Sequence, residues 1–454
     1  QPPNNLDTLT AEDAEPTAQP RAGFSDTEHA MYSANRRIGY AFAHLHTVEN
    51  IENKETNVAK TQTPDEILQI DSVFSKEDLE WAGVVRQWAD DNLRDKIGDW
   101  YLEGTIPARE LAKELGQLGV LGMHLEGYGC AGSTATQYGL ACRELEAVDS
   151  GLRSLVSVQG SLAMFAIHHW GSEEQKNEWL PRMAQGEAIG CFGLTEPDVG
   201  SDPSNMRTVA KRDGDDWVLN GAKMWITNSP VADVAVVWAK TAEEDDKGRP
   251  VIRGFVVPTD TPGVECPKVQ RKLSLRASIT GEIVLDNVRL PADAMMPKAK
   301  GLRGPLTCLS EARFGIVFGA TGAARDALEQ ALMYTGSRIQ FDKPLAAFQI
   351  TQQKLAKAFG QYSQITLLAA HLGKLKDTTG VRPEQISLGK MVTADTAMNI
   401  CRDLRALFGG SGITSEYSPL RHAINLETVL TYEGTHEVHQ LTLGRSLTGI
   451  NAFA

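Results

Sequence analysis

The spacing of apolar residues changes twice along this chain. Over residues 65–185 the apolar side chains recur at intervals that place them on one face, which predicts amphipathic helices. Over residues 187–300 this pattern gives way to short runs rich in β-branched and aromatic residues, bounded by Gly, Asp, Asn and Pro, which predicts strands. Helical spacing returns after residue 301 and continues to the end. The pattern therefore predicts a helical region, a β-region and a second helical region.

The same patterns place individual elements. Apolar residues between Leu79 and Leu93 share one face of a helix, and the Asp-Gly pair at 213–214 predicts a hairpin turn. The other predicted helices cover residues 135–148, 173–183, 306–334, 346–375, 383–407, 419–430 and 437–448. The predicted strands cover residues 217–219, 224–227, 234–238, 252–257 and 282–285.

These elements divide the chain into four predicted parts. Residues 1–64 lack a periodic apolar pattern and are rich in Pro, Asn, Thr, Gln and Glu, so they predict a mobile tail with at most a short helix at 31–46. An N-terminal α-helical domain at 65–186 and a middle β-domain at 187–301 follow. The long helices and short loops of 302–454 predict an antiparallel helical bundle. The predicted fold class is a multidomain α+β protein.

Composition and charge narrow the functional classes. The 454 residues are 42% hydrophobic, and 58 acidic against 45 basic residues give a net charge of −13. An acidic chain without a basic block repels phosphate, so no nucleic acid partner is expected. No run reaches the roughly 18 apolar residues of a membrane-spanning helix, and no leader pattern is evident, so stable membrane insertion is not expected. The six cysteines lack CxxC spacing and predict reduced thiols of an intracellular protein, cytoplasmic in a bacterium or mitochondrial in a eukaryote.

Familiar catalytic and metal-binding motifs are absent or weak. The chain has no GxxxxGK[ST] loop, no GxGxxG after a strand and no HExxH. Ser387 and Lys390 match SxxK, but a chain with this many serines is expected to contain one such match by chance. His436 and His439 could share a helical face, although capping and packing explain them better than a metal does. No metal site is predicted.

Four other segments combine residue types that suit a ligand. Residues 191–202 bring hydroxyls, glycines and acids around a proline turn, which suits a polar heterocycle or a phosphate. Residues 224–228 place Trp225 and Thr227 on one strand face by the period-two rule. Residues 338–349 connect two long helices, and residues 431–436 carry Glu433 beside a glycine. Taken singly, each segment is equally well explained as a turn, a core position, a connector or a favourably placed acid near a helix terminus.

Together these segments resemble the acyl-CoA dehydrogenase family over residues 65–454. The matching motifs are TEPDVGSD, WIT, RIQFDKPL followed by Gln349, LFGGSG and YEGT, in that order. Within the family, RELEAVDSGLRS at 143–154 and TGINAF at 448–453 are most similar to the glutaryl-CoA dehydrogenase branch. The resemblance implies a helical N-terminal domain, a middle β-domain and a C-terminal four-helix bundle, assembled as a homotetramer.

The resemblance also implies a reaction and its partners. An acyl-CoA substrate is oxidised between Cα and Cβ, which requires a base for the α-proton, and Glu433 matches the family's base. Since no side chain accepts a hydride, a redox cofactor is required, and the family implies FAD. The implied electron acceptor is an electron-transfer flavoprotein.

Further site residues follow from the family's motifs. Residues that would line the flavin are Phe192, Leu194, Thr195, Gly200, Ser201, Trp225, Ile226 and Thr227. Residues that would meet the FAD of a neighbouring subunit are Arg338, Phe341, Gln349, and Gly409 and Gly410 of the 406–410 turn. Thr435 and Glu437 would complete the FAD contacts. Residues that would bind the substrate are Glu146, Arg153, Ser154, Ser201, Arg313, Tyr432 and Gly434.

Substrate preference is predicted from Arg153. A guanidinium deep in an acyl pocket is costly unless an anion meets it, and the distal carboxylate of a glutaryl chain would do so. The prediction is oxidation to a glutaconyl thioester, loss of CO2 and formation of crotonyl-CoA. Alternatives are a surface pair between Arg153 and Glu146, a dehydrogenase for monocarboxylic short-chain acyl-CoAs, a glutaryl-CoA dehydrogenase that does not decarboxylate, an oxidase, and a scaffold without chemistry.

Four residues depart from the family pattern. Asp342 stands where glycine is usual, and Ala406 replaces a polar residue, so both bear on the binding of FAD. Leu152 and Ala147 stand where Tyr and Arg are common, so both bear on substrate preference.

Overall fold

The computed structural model describes residues 62–453 of the chain. The predicted tail lies outside these residues except for its last three, and so does the short helix predicted at 31–46. No helix within the described residues is long and apolar enough to cross a membrane. The helices before the β-region are α1 (Pro64–Leu68), α2 (Lys76–Asn92), α3 (Arg94–Glu103), α4 (Ala108–Leu118), α5 (Ala135–Glu146), α6 (Ser150–Ser157), a π-helical segment (Val158–Met164), α7 (Phe165–Trp170) and α8 (Glu173–Ala184).

The β-region forms one mixed sheet of seven strands. The strands are β1 (Gly190–Gly193), β2 (Val209–Asp213), β3 (Asp216–Thr227), β4 (Val234–Glu244), β5 (Pro250–Pro258), β6 (Val264–Glu265) and β7 (Thr280–Leu290). Their order is β1-β4-β2-β3-β7-β6, and β5 pairs with β4. β2 and β3 pair antiparallel with Asp213 opposite Asp216, which confirms the predicted Asp-Gly turn. β1 runs parallel to β4, with Gly193 opposite Val237, and the loop that follows begins after Gly193.

The C-terminal region is helical, as the sequence predicts. It contains α9 (Arg303–Ser337), a small hairpin of β8 (Ile339–Gln340) and β9 (Lys343–Pro344), α10 (Gln349–Thr378), α11 (Pro383–Arg405), a 3-10 segment (Ala406–Ile413), α12 (Ser418–Thr431) and α13 (His436–Thr448). α10 begins three residues later than predicted because the hairpin and a 3-10 turn occupy residues 339–347. The predicted fold class is confirmed.

Buried ion pairs join the two helical regions. Arg325 on α9 donates to both carboxylate oxygens of Glu144 on α5, at 2.8 and 2.5 Å. Asp149, in the break between α5 and α6, accepts hydrogen bonds from Arg421 Nε at 3.0 Å and Asn425 Nδ2 at 2.9 Å on α12. Asp149 also caps α6 by accepting from the backbone N–H of Gly151. These bonds hold the start of α6 against the first turns and the middle of α12.

The hydrophobic cores cross the boundaries between the three regions. One core combines side chains of α2–α6 with Phe314 and Phe318 of α9 and Leu372 of α10. A second combines the π-helical segment and α8 with β1, β4, β5 and the start of α9. Because burial of apolar surface is the main favourable term in folding, each helical region depends on the other for much of its stability.

Candidate functional site

The turn between α12 and α13 holds Glu433 in an unusual backbone conformation. Glu433 has φ 54° and Gly434 has φ 91°, both in the left-handed region. Glycine adopts this region freely, but a residue with a Cβ is held there at a cost of about 1–2 kcal/mol. α13 begins directly afterwards, where Thr435 accepts a hydrogen bond from the backbone N–H of Val438 at 3.3 Å. A short connection between two helix ends therefore fixes Glu433.

Three consecutive carbonyl oxygens of this turn are bound from neighbouring helices. Arg313 of α9 donates through Nε to the carbonyl oxygen of Glu433 at 2.6 Å. Lys390 of α11 donates through Nζ to the carbonyl oxygen of Tyr432 and, at 2.6 Å, to that of Gly434. The turn is thus held by its backbone, and these contacts leave the Glu433 side chain free.

The Glu433 carboxyl group is suited to act as a base. Its Oε2 atom is buried and has no hydrogen-bond partner among the described residues. Burial raises the pKa of Glu433 above its ordinary value, and this effect outweighs the opposing charges of Arg153, Lys390 and Arg313. A desolvated carboxylate with a raised pKa accepts a proton more readily than one in water.

Arg153 and Glu146 form an ion pair in the interior. Both side chains have an exposed fraction of 0%, and Arg153 Nε lies 2.6 Å from Glu146 Oε2. Ser150 Oγ donates to the other carboxylate oxygen of Glu146 at 2.9 Å. Burial alone would lower the pKa of Arg153, but the interactions with Glu146, Tyr432 and Glu433 together outweigh this and raise it, so the guanidinium stays charged. The alternative of a surface pair is wrong, because neither group reaches the solvent.

Two hydroxyl groups complete the surroundings of Arg153. Its Nη2 donates to the hydroxyl of Tyr432, which lies 3.2 Å from Ser154 Oγ. Its Nη1 is buried without a partner among the described residues. A buried donor left unpaired costs about 1–3 kcal/mol, so an acceptor on a ligand that bound Nη1 would recover this free energy. The expectation that the buried Arg153 charge requires a substrate anion is corrected, because Glu146 already offsets that charge.

A second set of predicted residues gathers on the β-region. The backbone N–H of Met224 donates to the carbonyl oxygen of Thr195 at 2.9 Å, which joins the loop after β1 to the end of β3. The pairing of β3 with β7 shifts register between Lys223 and Ile226, and Trp225 in this bulge has φ 63°. The bulge turns the Trp225 indole outwards, with 58% of the residue exposed, while Ile226 is buried in the sheet core.

The predicted cofactor residues on the β-region differ in exposure. Phe192 and Leu194 are packed in a core, so a cofactor would meet mainly their backbone. Gly200 and Ser201 are exposed, and Thr195 and Thr227 are half-buried. An exposed indole beside hydroxyl and backbone groups fits a planar, partly polar ring system such as a flavin.

A third set lies at one end of the helical bundle. Arg338, Gln349, Gly409 and Gly410 are exposed there, and Phe341 is 87% exposed. The hydroxyl of Tyr334, near the end of α9, donates to the carbonyl oxygen of Phe408 at 3.3 Å, which holds the 3-10 segment beside Arg338. Thr435 and Glu437 lie apart from this set, at the start of α13.

Comparisons with known proteins agree with this arrangement. The models of the N-terminal, middle and C-terminal domains of acyl-CoA dehydrogenases match residues 75–187, 191–288 and 299–448. An acyl-CoA dehydrogenase of Bacillus subtilis (strain 168) is 34% identical over 370 residues, which are 79% of this chain and 97% of the relative. The chain belongs to the acyl-CoA dehydrogenase family. The resemblance seen in the sequence motifs is confirmed.

Solved structures of the family superpose over most of the chain. A structure described as a glutaryl-CoA dehydrogenase from Mycobacterium smegmatis in complex with FADH2 is 61% identical, with a TM-score of 0.84, and covers 87% of this chain and 100% of its own. The butyryl-CoA dehydrogenase of Megasphaera elsdenii is 31% identical, with a TM-score of 0.78, and covers 82% and 98%. FADH2 is the reduced form of FAD, and the prediction of FAD as the cofactor is confirmed.

Glu196 of the TEPDVGSD motif has a role that the sequence did not indicate. Its carboxylate accepts from the backbone N–H groups of Arg207 at 2.6 Å and Thr208 at 3.0 Å, and from Lys223 Nζ at 2.8 Å. Lys223 is fully buried and also donates to the carbonyl oxygen of Leu194 at 3.2 Å. Glu196 thus fixes the loop that this acyl-CoA dehydrogenase presents beside Trp225.

We expect Glu196→Gln to weaken FAD binding. The change removes the partner of the buried Lys223 charge, which costs about 3–5 kcal/mol when a buried pair is broken. The loop beside Trp225 should then loosen, and the fraction of FAD retained after gel filtration should fall severalfold. Asp198→Asn is the matched control, because Asp198 pairs with Arg207 at the surface of the same loop, with 65% of its side chain exposed. Equal FAD retention in both variants would contradict this role of Glu196.

The departure at Asp342 has a backbone explanation. Asp342 has φ 62° and follows Phe341 with φ 52°. This left-handed conformation accounts for the glycine that is usual in the family, and aspartate is among the residues that tolerate it best. The turn between β8 and β9 therefore keeps its shape without the glycine.

Gly319 of α9 is a site residue for which the neighbouring sequence gives no signal. A Cβ at this position would lie 2.1 Å from Glu146 Oε2 and 3.2 Å from Arg153 Nε. No side chain fits there, so a glycine in the middle of a long helix makes room for the buried ion pair. The SxxK match at Ser387 and Lys390 likewise gives no sign that Lys390 contacts the Glu433 turn.

Proposed function

We propose that this acyl-CoA dehydrogenase oxidises and decarboxylates glutaryl-CoA to crotonyl-CoA and CO2. The observation that carries the proposal is the unpaired, buried Nη1 of Arg153. Nη2 of the same guanidinium binds the hydroxyl of Tyr432, which directly precedes Glu433 in the chain and lies 3.2 Å from Ser154 Oγ. A carboxylate at the far end of a short acyl chain supplies the missing acceptor. The 61% identity to a structure described as a glutaryl-CoA dehydrogenase supports the same substrate.

Glu433 begins the proposed reaction by removing a proton from Cα of the thioester. FAD, when bound, takes up the hydride from Cβ. Because the Glu433 backbone is held by Arg313 and Lys390, the carboxylate does not need to reorient before the proton moves. Such preorganisation lowers the barrier of a proton transfer. The product of this step is the glutaconyl thioester, with the proton on Glu433.

Arg153 and Glu433 then serve the loss of CO2. Cleavage of the bond between Cγ and the distal carboxyl group leaves its electron pair in a dienolate that extends into the thioester. Protonated Glu433 returns its proton to this dienolate, which gives crotonyl-CoA. Glu146 stays paired with Arg153 throughout. The guanidinium therefore keeps a counter-charge after the substrate carboxylate has left as CO2.

A dehydrogenase for monocarboxylic short-chain acyl-CoAs is the second candidate. Since Glu146 already pairs with Arg153, an apolar acyl end would not face an uncompensated charge. The similarity to a butyryl-CoA dehydrogenase is consistent with this candidate. It leaves Arg153 Nη1 unpaired, however, and for that reason the glutaryl substrate is preferred.

The proposal extends to the assembly and the acceptor. Phe341 and Leu447 are 87% and 86% exposed, and a homotetramer would cover apolar side chains of this kind. Arg338, Phe341, Gln349, Gly409 and Gly410 would then meet the FAD of a neighbouring subunit. The proposed electron acceptor is an electron-transfer flavoprotein.

Anaerobic titration of the purified, FAD-loaded enzyme tests the proposal. Glutaryl-CoA is expected to bleach the visible flavin band and to release one CO2 per flavin reduced, and crotonyl-CoA should be the product by mass spectrometry. Bleaching by glutaryl-CoA without release of CO2 would contradict the decarboxylation step and indicate a glutaryl-CoA dehydrogenase that does not decarboxylate. Bleaching by butyryl-CoA and not by glutaryl-CoA would establish the second candidate instead.

A further inference from the structure

Lys390 lies in the interior of the bundle, where a lysine requires an explanation. It sits on α11 with an exposed fraction of 1%. Burial lowers the pKa of Lys390 to about 7, since the charged form is disfavoured away from water. The ammonium of a buried lysine usually pairs with a carboxylate. Here its ammonium donates instead to two backbone carbonyl oxygens, those of Tyr432 and Gly434.

These two carbonyl groups flank Glu433 in the sequence. A single donor atom that binds the residues before and after Glu433 forces both carbonyl groups towards α11. Arg313 binds the intervening carbonyl oxygen at 2.6 Å from α9. The three contacts together over-determine a turn in which Glu433 has φ 54°. Strained residues at functional sites persist where the surrounding structure fixes them in this way.

We propose that Lys390 is a positioning residue which, together with Arg313, fixes the Tyr432–Gly434 turn so that the Glu433 carboxylate faces the substrate. This inference rests on the proposed role of Glu433 as the base. Lys390 contacts the backbone of the turn, and Glu433 Oε2 keeps its acceptor sites free for a proton. A lysine that paired directly with this carboxylate would instead suppress its basicity.

Lys390 also acts on Glu433 through its charge. The cation lowers the pKa of Glu433, which burial raises. The other titratable and charged groups that face Lys390 or Glu433 are unchanged in a Lys390 variant. These groups are Glu146 on α5, Arg153 on α6, Arg313 on α9, Tyr432 in the turn and His439 on α13. Burial lowers the pKa of His439 to about 3, so this residue is neutral near pH 7. Removal of the Lys390 cation should therefore move the titration of Glu433 to higher pH.

The test compares Lys390→Met with the wild type by anaerobic stopped-flow reduction of the bound flavin. Methionine matches the length of the lysine stem but has neither the donor nor the charge. We expect the rate constant for flavin reduction to fall by roughly tenfold or more at saturating acyl-CoA, because the base is misplaced. The dissociation constant of the acyl-CoA should change by less than about threefold, since Lys390 is not placed among the substrate contacts. The pH midpoint of the reduction rate should rise, because the cation that lowers the pKa of Glu433 is gone.

Two further variants complete the design. Lys357→Met is the matched control, because Lys357 pairs with Asp403 at the surface with 61% of its side chain exposed. Lys390→Gln carries the same test if Lys390→Met does not fold, since the amide can still donate to one of the two carbonyl oxygens, while the second hydrogen bond and the charge are lost. A reduction rate and a pH midpoint equal to those of the wild type in the folded Lys390 variant would overturn the proposal.

The Lys390 variants are tested with the acyl-CoA that bleaches the wild-type flavin fastest. This choice makes the test of Lys390 independent of the proposed glutaryl-CoA substrate. Slow reduction by glutaryl-CoA with fast reduction by butyryl-CoA overturns the proposed substrate and leaves the Lys390 test intact. A wild-type enzyme that no acyl-CoA reduces overturns both proposals.

Discussion

Glu433→Gln is expected to bind acyl-CoA with nearly unchanged affinity and to lose flavin reduction by on the order of a hundredfold or more. Glutamine preserves the shape of the side chain but cannot take up the α-proton. The measurement is the rate of anaerobic flavin bleaching at saturating acyl-CoA, beside the dissociation constant from the spectral shift on binding. Glu427→Gln on α12 is the control, since Glu427 is exposed and lies before the turn.

The pH dependence of the wild type gives an independent check on the same residue. Burial raises the pKa of Glu433, so its reactive, deprotonated form appears only above the pH at which an exposed glutamate ionises. The rate of flavin reduction should therefore increase with pH through a midpoint above the ordinary range of glutamate. A Glu433→Gln variant that keeps more than about a tenth of the wild-type rate would rule Glu433 out as the base.

Removal of Arg153 is expected to separate dicarboxylic from monocarboxylic substrates. Arg153→Met should lower the reduction rate constant divided by the dissociation constant for glutaryl-CoA by roughly a hundredfold or more, because a charge-assisted pair with the distal carboxylate is lost. The same ratio for butyryl-CoA should change much less, since its acyl end carries no charge. Stopped-flow reduction with both substrates measures the two losses side by side.

The buried partner of Arg153 makes a double variant necessary. Arg153→Met alone leaves the Glu146 carboxylate buried without its ion pair, and such a loss destabilises a protein by about 3–5 kcal/mol. Glu146→Gln combined with Arg153→Met removes both charges. The double variant should regain stability and keep its activity on butyryl-CoA, but it should not regain activity on glutaryl-CoA. Equal losses for both substrates in the double variant would show that Arg153 does not select the distal carboxylate.

The elements of the fold were predictable because local signals agree with the tertiary structure. α11 begins at the predicted Pro383, which has the fixed φ that suits a first helical turn. β4 reads as a continuous apolar run because it lies between β1, β2 and β5, inside the sheet. The bulge at Trp225 was not predictable, since its register depends on β7, a strand more than fifty residues further along the chain.

The site was predictable only where it follows a family motif. YEGT pointed to Glu433, and the segment at 143–154 pointed to Arg153. The residues that hold them in place come from elsewhere in the chain, as Gly319 and Lys390 do, and carry no local signal. The sequence also gives no signal for the role of Glu196 in TEPDVGSD, because its partner is a lysine buried on β3. Pairings between distant buried groups are a property of the packed structure.

The cores that cross the region boundaries limit how this chain could be recombined with its relatives. Glu144 and Arg325 face each other from different regions, and Phe318 packs among side chains of the N-terminal helices. In a chimera that took α9–α13 from a relative, the Glu144 carboxylate would face a helix whose side chains pack against a different N-terminal region. The two helical regions would have to be inherited together, and an exchanged sheet would have to keep the side chains of β1, β4 and β5 that pack against both of them.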